Sequence, residues 1–224
     1  MTTPSPATLA TSLRTHLAGT LRAEQTGTAV VLGGWVHRSR DLGGQVFLDL
    51  RDRGGVVQCS FNPQWTPSEV IAAAAAVGVE SVVMIEGTVA PRPAEMRNPE
   101  MVTGAIEVRA TAIRVVGPAV TPALPVAPIK EGKLPAEELR LRHRILDLRR
   151  EELQHALVLR HRLMQTTRQY LSAQGYLELE TPILTKPTPE GARDFLVPSR
   201  MHAGEFYALP QSPQIYKQLF MCAG

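Results

Sequence analysis

Between Gln45 and Arg51 apolar and polar positions alternate. Val46, Leu48 and Leu50 fall on one face of an extended segment, and Phe47, Asp49 and Arg51 fall on the other. The same period recurs at Val57, Cys59 and Phe61, with Gln58 and Ser60 pointing the opposite way. Further β-rich runs span Ala29–Arg38, Gly55–Phe61, Ser81–Val89 and Ile106–Val116, and Gly43-Gly44 and Gly54-Gly55 supply turns between the first three strands. Pro67–Val77 interrupts the strands with an unbroken alanine run, Ala72 to Ala76, which favours helix. Three strands, a helix and two strands is the order of a five-stranded Greek-key barrel of the OB type. The fold class expected is therefore an all-β OB-fold barrel over 29–117, preceded by an N-terminal extension, 1–28, of which the first dozen residues are loose.

The pattern then changes. Pro118, Pro122, Pro125, Pro128 and Pro135 crowd a short span that can hold neither helix nor central strand, predicting a semi-rigid hinge over 118–140. From 141 to 224 the periodicity is of a different kind. Leu153, Leu157, Leu163, Tyr170 and Leu171 recur at helical spacing over Leu153–Ala173, and Gly175 stands where a C′ glycine ends a helix. Tyr176–Leu184 reads as a strand closed by Thr181-Pro182. Ser212-Pro213 reads as the start of another helix, serine as N-cap and proline in the first turn.

Composition narrows the classes little. The 224 residues carry a formal net charge of +3, which leans weakly toward an anionic partner. The two cysteines, Cys59 and Cys222, are too far apart in sequence for a disulfide framework or a zinc motif, so a reducing compartment is expected. The N-terminus lacks an apolar run for a signal peptide, and no stretch approaches the roughly 20 apolar residues of a membrane span. A soluble, cytoplasmic protein with no membrane partner and no metal site is expected.

Candidate chemistry on the barrel lies on the outward face of its second and third strands, the usual nucleic-acid platform of an OB fold. Phe47 sits there with no core to fill and could stack on an unpaired base. Gln58, beside it, offers a donor and an acceptor to a base edge. Arg38 and Arg40, ending the first strand, could hold phosphates. Taken singly, a lone outward Phe is as often loop-covered as functional, an outward Gln is usually solvated, and the arginines are a charged strand end. Their co-location is what favours a site.

The strings around these residues resemble a known family. Gly34–Gly43 (GWVHRSRDLG) resembles the first strand and turn of the anticodon barrel of class II aminoacyl-tRNA synthetases for aspartate, asparagine and lysine. Ile145–Arg150 resembles the lead into their catalytic domain, and Gly175–Leu184 resembles motif 1, whose proline, here Pro182, packs at a dimer interface. Thr185–Phe195 and Tyr207–Lys217 resemble the bacterial aspartate enzyme. Lys186-Pro187-Thr188 departs slightly, with proline where serine or alanine is expected. Leu42 follows Arg40-Asp41 as in relatives that discriminate against asparagine tRNA.

The resemblance, from about Arg14 to Gly224, implies an α+β class II catalytic domain beginning near 141. It also implies ATP-dependent activation of L-aspartate to aspartyl-adenylate and transfer to the 3′ end of tRNA(Asp), with ATP as co-substrate, Mg²⁺ as metal and a homodimer. By the same resemblance Glu190 meets the aspartate ammonium. Ser212, Gln214 and Lys217 hold the amino acid, with Lys217 near the side-chain carboxylate. A dicarboxylic ligand calls for such cations and one anion, and Gln214 and Lys217 share a helix face by their spacing. Each alone would be an ordinary solvated side chain. Motifs 2 and 3, whose arginines stabilise charge at phosphate, are absent from the 224 residues, so no catalytic residue is assigned and the chain alone is expected to be inactive. The alternatives are a non-catalytic OB-fold RNA-binding module, or a synthetase for asparagine or lysine. The string around Glu190 argues against the last.

Overall fold

Alternating side chains become a barrel when both ends of the sheet find a partner. In a computed structural model of the chain, which describes residues 13–128, 134–187 and 193–224, they do. The strands are β1 (Ala29–Asp41), β2 (Val46–Asp52), β3 (Gly55–Phe61), β4 (Val82–Pro91) and β5 (Ile106–Gly117). They close in the order β1-β2-β3-β5-β4, antiparallel throughout except for the parallel β3–β5 pairing. Closure removes the sheet edges. Helix α1 (Ser68–Ala75) enters between β3 and β4, where Ala74 is fully buried and Val70 and Ile71 pack on the barrel core.

The inward stripes expected from the alternation are buried: Val46, Leu48 and Leu50 from β2, and Val57, Cys59 and Phe61 from β3. Burial pushes the Cys59 thiol well above its ordinary range, so it behaves as a small apolar side chain. Residues ahead of the first strand also enter the core. Leu17, Ala18 and Leu21 are buried, and Asp52 ties their backbone to the β2–β3 turn by accepting from Ala18 N–H and Gly54 N–H, both at 2.7 Å. Gly19 lies so close to that turn that a Cβ there would strike the Gly54 carbonyl.

The proline-rich stretch is anchored. Leu124 and Val126 are buried, Ser81 Oγ accepts from Ala119 N–H at 3.0 Å, and Arg150 donates to the Pro125 carbonyl at 2.9 Å. Two short helices follow, α2 (Glu137–Arg142) and α3 (Arg144–Asp147). Asp147, completely buried, joins them by accepting from Arg140 at 2.8 Å and Arg144 at 2.6 Å.

The chain divides into two compact units, 1–156 and 157–224. Helix α4 (Glu151–Ala173) crosses the boundary. The second unit holds a two-stranded hairpin of β6 (Phe195–Pro198) and β7 (Phe206–Leu209), then helix α5 (Gln214–Ala223). Two expectations are corrected here. Residues 176–184 form no strand, because an extended segment becomes one only by pairing, and the pairing found nearby is a single bridge, Thr185 to Ala208. Ser212 does not cap α5: Pro213 occupies the N-cap position, and no side chain caps it. Among the described residues no helix is long and apolar enough to cross a membrane.

Candidate nucleic-acid interface and amino-acid pocket

Strand register builds the outer face of the barrel in two rows. One row runs Arg40, Phe47, Ser60, Arg109, Thr88 across β1, β2, β3, β5 and β4. The other runs Arg38, Asp49, Gln58 across β1 to β3, and Gln58 then meets Glu107 of β5 through a 3.3 Å hydrogen bond. All of these side chains share the face opposite the core stripes. Phe47 is half-buried, and Arg38 and Arg40 are exposed.

This face is less solvated than alternation alone implies. Asp49 is 5% exposed and Glu107 9%, although both point away from the core. Arg40 covers Asp49 with a 2.7 Å ion pair and also donates to Gln58 Oε1 at 3.2 Å. Burial raises the Asp49 carboxyl above its usual range, a shift that Arg40, Arg38 and Arg92 oppose. Gln58 is thereby oriented at both ends, its oxygen toward Arg40 and its nitrogen toward Glu107. Arg92 lies among them. It is buried and donates to the Ile106 carbonyl at 2.8 Å, and its Nη2 has no hydrogen-bond partner among the described residues. Burial lowers its pKa, with Glu107 and Asp49 pulling the other way. The face thus presents an aromatic ring beside a pre-oriented amide, framed by arginines and two partly neutralised carboxylates. That arrangement can stack one unpaired base and read its edge.

Sequence reasoning named Phe47, Gln58, Arg38 and Arg40, and the register brings all four onto this one surface. It missed Glu107, Arg92 and Arg109, whose guanidinium lies over the Trp65 ring. Glu107 stands between Ile106 and Val108, so alternation marks it as outward. Only the parallel β3–β5 pairing, invisible in the sequence, sets it against Gln58.

A second polar cluster on the first unit was also unforeseen. Glu80, the one non-glycine described residue with positive φ (67°), is 5% exposed. It grips Arg51 through both oxygens, at 2.7 and 2.8 Å, and accepts from Arg149 at 2.9 Å. Trp35 lies under both guanidinium groups, 5.8 Å from Arg51 and 5.1 Å from Arg149. Burial alone would raise the Glu80 carboxyl, but the two arginines hold it below the ordinary range. His37 Nδ1 meets Arg51 at 2.7 Å. Burial and the charges of Arg51 and Arg38 push His37 down to about 4, Glu80 opposing. The cluster fixes the segment after the proline stretch to the barrel.

The amino-acid residues expected by resemblance lie in the second unit. Glu190 falls outside the described residues. Ser212, half-buried, precedes α5, and Gln214 and Lys217 lie one turn apart on its exposed surface. Pro182 is exposed.

Comparisons with known proteins match the barrel and the residues after the proline stretch separately. Residues 30–116 match the family model described as an OB-fold nucleic acid binding domain, and residues 136–224 match the model for class II tRNA synthetases (D, K and N). The chain is 55% identical over 214 residues to the Aspartate--tRNA(Asp/Asn) ligase of Salinibacter ruber, covering 94% of this chain and 34% of that protein. It is 49% identical to the Aspartate--tRNA ligase of Geobacillus kaustophilus, over 94% of this chain and 35% of that one. It spans about a third of the length of these curated relatives. Among solved structures, the asparaginyl-tRNA synthetase of Pyrococcus horikoshii complexed with asparaginyl-adenylate matches with a TM-score of 0.74 at 25% identity, covering 90% of this chain and 43% of that one. The aspartyl-tRNA synthetase of Entamoeba histolytica matches at 0.69 and 21% identity, over 90% and 41%, and supports the fold.

Proposed function

We propose that the chain belongs with the class II tRNA synthetases of the aspartate, lysine and asparagine group, and that its barrel binds the anticodon loop of tRNA(Asp) in a protein that activates L-aspartate with ATP. The observation that carries the reading is the row of Arg40, Phe47 and Ser60 beside a Gln58 oriented by Arg40 and Glu107. Phe47 stacks on one unpaired base, Gln58 and Glu107 read its edge, and Arg38 with Arg40 meets the backbone.

The second unit supplies part of the aspartate site under this reading. Lys217 faces the ligand side-chain carboxylate, Gln214 and Ser212 orient it, and Glu190 takes the ammonium. Pro182 lies in a homodimer interface. The setting is cytosolic. Among the described residues no group of three or more His, Cys, Asp or Glu is arranged to hold a metal. A second reading concerns the tRNA range. The name of the Salinibacter relative includes both tRNA(Asp) and tRNA(Asn), whereas that of the Geobacillus relative gives no second tRNA. Leu42, 68% exposed in the β1–β2 turn, is the side chain through which such a difference in tRNA range would be read.

The test is a titration of the chain with the tRNA(Asp) anticodon stem-loop. Phe47→Ala should weaken binding by about 1–3 kcal/mol, and a lysine-tRNA stem-loop should bind more weakly than the aspartate one. Equal binding of both stem-loops, together with no effect of Phe47→Ala, would leave only a nonspecific RNA-binding barrel.

A further inference from the structure

The row that holds Phe47 does not stop there. Beyond Ser60 it continues to Arg109, two strand spacings away, about 10 Å. The Arg109 guanidinium lies over the Trp65 ring, 4.6 Å from its centroid. Trp65 is itself fixed, donating its indole N–H to the Ser60 carbonyl at 3.2 Å. Arg109 keeps 48% of its side chain exposed. Its nearest carboxylate, Glu107, is 3.9 Å away and uses its other oxygen for Gln58. The cation is thus held in place without being matched by a short ion pair, and holding it costs little further side-chain entropy when an anion arrives.

Beside it lies a groove of about 340 Å³, bordered by Thr26, Gly27, Thr88 and Thr111 together with Trp65 and Arg109. Among the described residues no carboxylate lines this groove. Val89, Ala90 and Pro91 complete the lining, so one exposed guanidinium stands over a surface of small apolar and threonine side chains, which suits a sugar–phosphate unit better than a cation.

We propose that Arg109, braced by Trp65, is a backbone-phosphate contact for the nucleotide adjoining the one stacked on Phe47. It extends the anticodon-loop site along the barrel from β2 to the β4–β5 groove. This rests on the reading of the Phe47 face as a tRNA platform. Because phosphate carries no sequence information, Arg109 adds affinity and salt dependence while Phe47 and Gln58 supply the reading.

The experiment measures binding of the tRNA(Asp) anticodon stem-loop to the chain across a range of salt concentrations. Arg109→Gln should weaken binding about tenfold, the size of one charge-assisted hydrogen bond. It should also flatten the slope of log affinity against log salt by about 0.7, the release of one counterion from a single strand. Arg109→Lys should keep most of the slope, and Arg109→Met, uncharged but of similar reach, carries the test if Arg109→Gln folds poorly. Phe47→Ala should weaken binding without changing the slope. If Phe47→Ala weakens binding while Arg109→Gln leaves affinity and slope unchanged, the phosphate contact is overturned and the platform stands. If Phe47→Ala has no effect while Arg109→Gln flattens the slope, the phosphate contact stands and the stacking assignment falls. A wild-type chain that does not bind the stem-loop overturns both.

Discussion

The barrel and the residues from 157 onward carry similar densities of apolar side chains, yet they bury them very differently. Nineteen buried residues form the core of the first unit. Among the described residues of the second, Ala208 alone is buried. Helix α4 has the spacing of an amphipathic helix, but Leu157 is 50% exposed and Leu163 65% exposed. Leu177, Ile183 and Phe195 are 77–82% exposed. Periodicity makes an element, and a second layer makes a core. The barrel provides its own second layer by closing on itself. The hairpin and two helices of the second unit do not, and the surface they leave is of the kind that interfaces cover.

The sharpest way to break this contrast is truncation of one leucine in each region. Leu48→Ala, in the barrel interior, should cost about 2–5 kcal/mol. Leu163→Ala, exposed on α4, should stay within about 0.5 kcal/mol. Both tryptophans, Trp35 and Trp65, lie in the barrel, so fluorescence-detected urea unfolding reports that region. Equal losses would mean that α4 is packed as the barrel is.

Paired charges give the next largest difference. Glu80→Gln withdraws the charge that compensates Arg51, whose side chain is 13% exposed, and should destabilise the barrel by about 3 kcal/mol. Arg168 and Glu178 in the second unit form a 2.7 Å ion pair on the surface, 45% and 61% exposed. Glu178→Gln should therefore leave the unfolding midpoint unchanged. A loss for Glu178→Gln as large as that for Glu80→Gln would put a buried environment where the structure has an open one.

The smallest effect is a pH dependence confined to the barrel. Folded His37 stays neutral until about pH 4, while the unfolded chain takes up the same proton near 6.5. Between those values the unfolded state binds more protons, so stability falls as pH drops from 6.5 toward 4. Discounted for the partial exposure of His37, the loss is about 1 kcal/mol. Glu80, held below its ordinary range, adds stability that is present above that range and lost as pH falls through its depressed value. His37→Gln should flatten the upper part of the curve and leave the lower part. An unchanged curve would show that His37 is not shielded by Arg51 and its own burial.

The barrel was legible because its signals are local. Alternation at Val46–Leu50 and Val57–Phe61, paired glycines at the turns and the alanine run each mark an element within a few residues. The candidate platform was half legible for the same reason. Phe47 and Gln58 announce themselves as outward, but Glu107 and Arg109 reach them through a parallel pairing of strands nearly fifty residues apart. The Glu80 cluster was not legible, since it joins Arg51, Glu80 and Arg149 across a stretch of prolines and depends on a backbone turn at positive φ. Residues 176–184 misled because β-like composition describes what a segment can pair with, and pairing there is limited to one bridge.

Hydrogen exchange on the 224-residue chain, alone and with the tRNA(Asp) anticodon stem-loop, tests most directly whether the barrel is both the stable unit and the RNA-reading one. Slow exchange is expected across β1 to β5 and fast exchange across α4, the hairpin and α5. Adding the stem-loop should slow exchange further around residues 38–60 and 107–109 while residues 157–224 stay as they were. Slow exchange in α4 without RNA, or protection by the stem-loop that appears in 157–224 and spares β2 and β3, would contradict it.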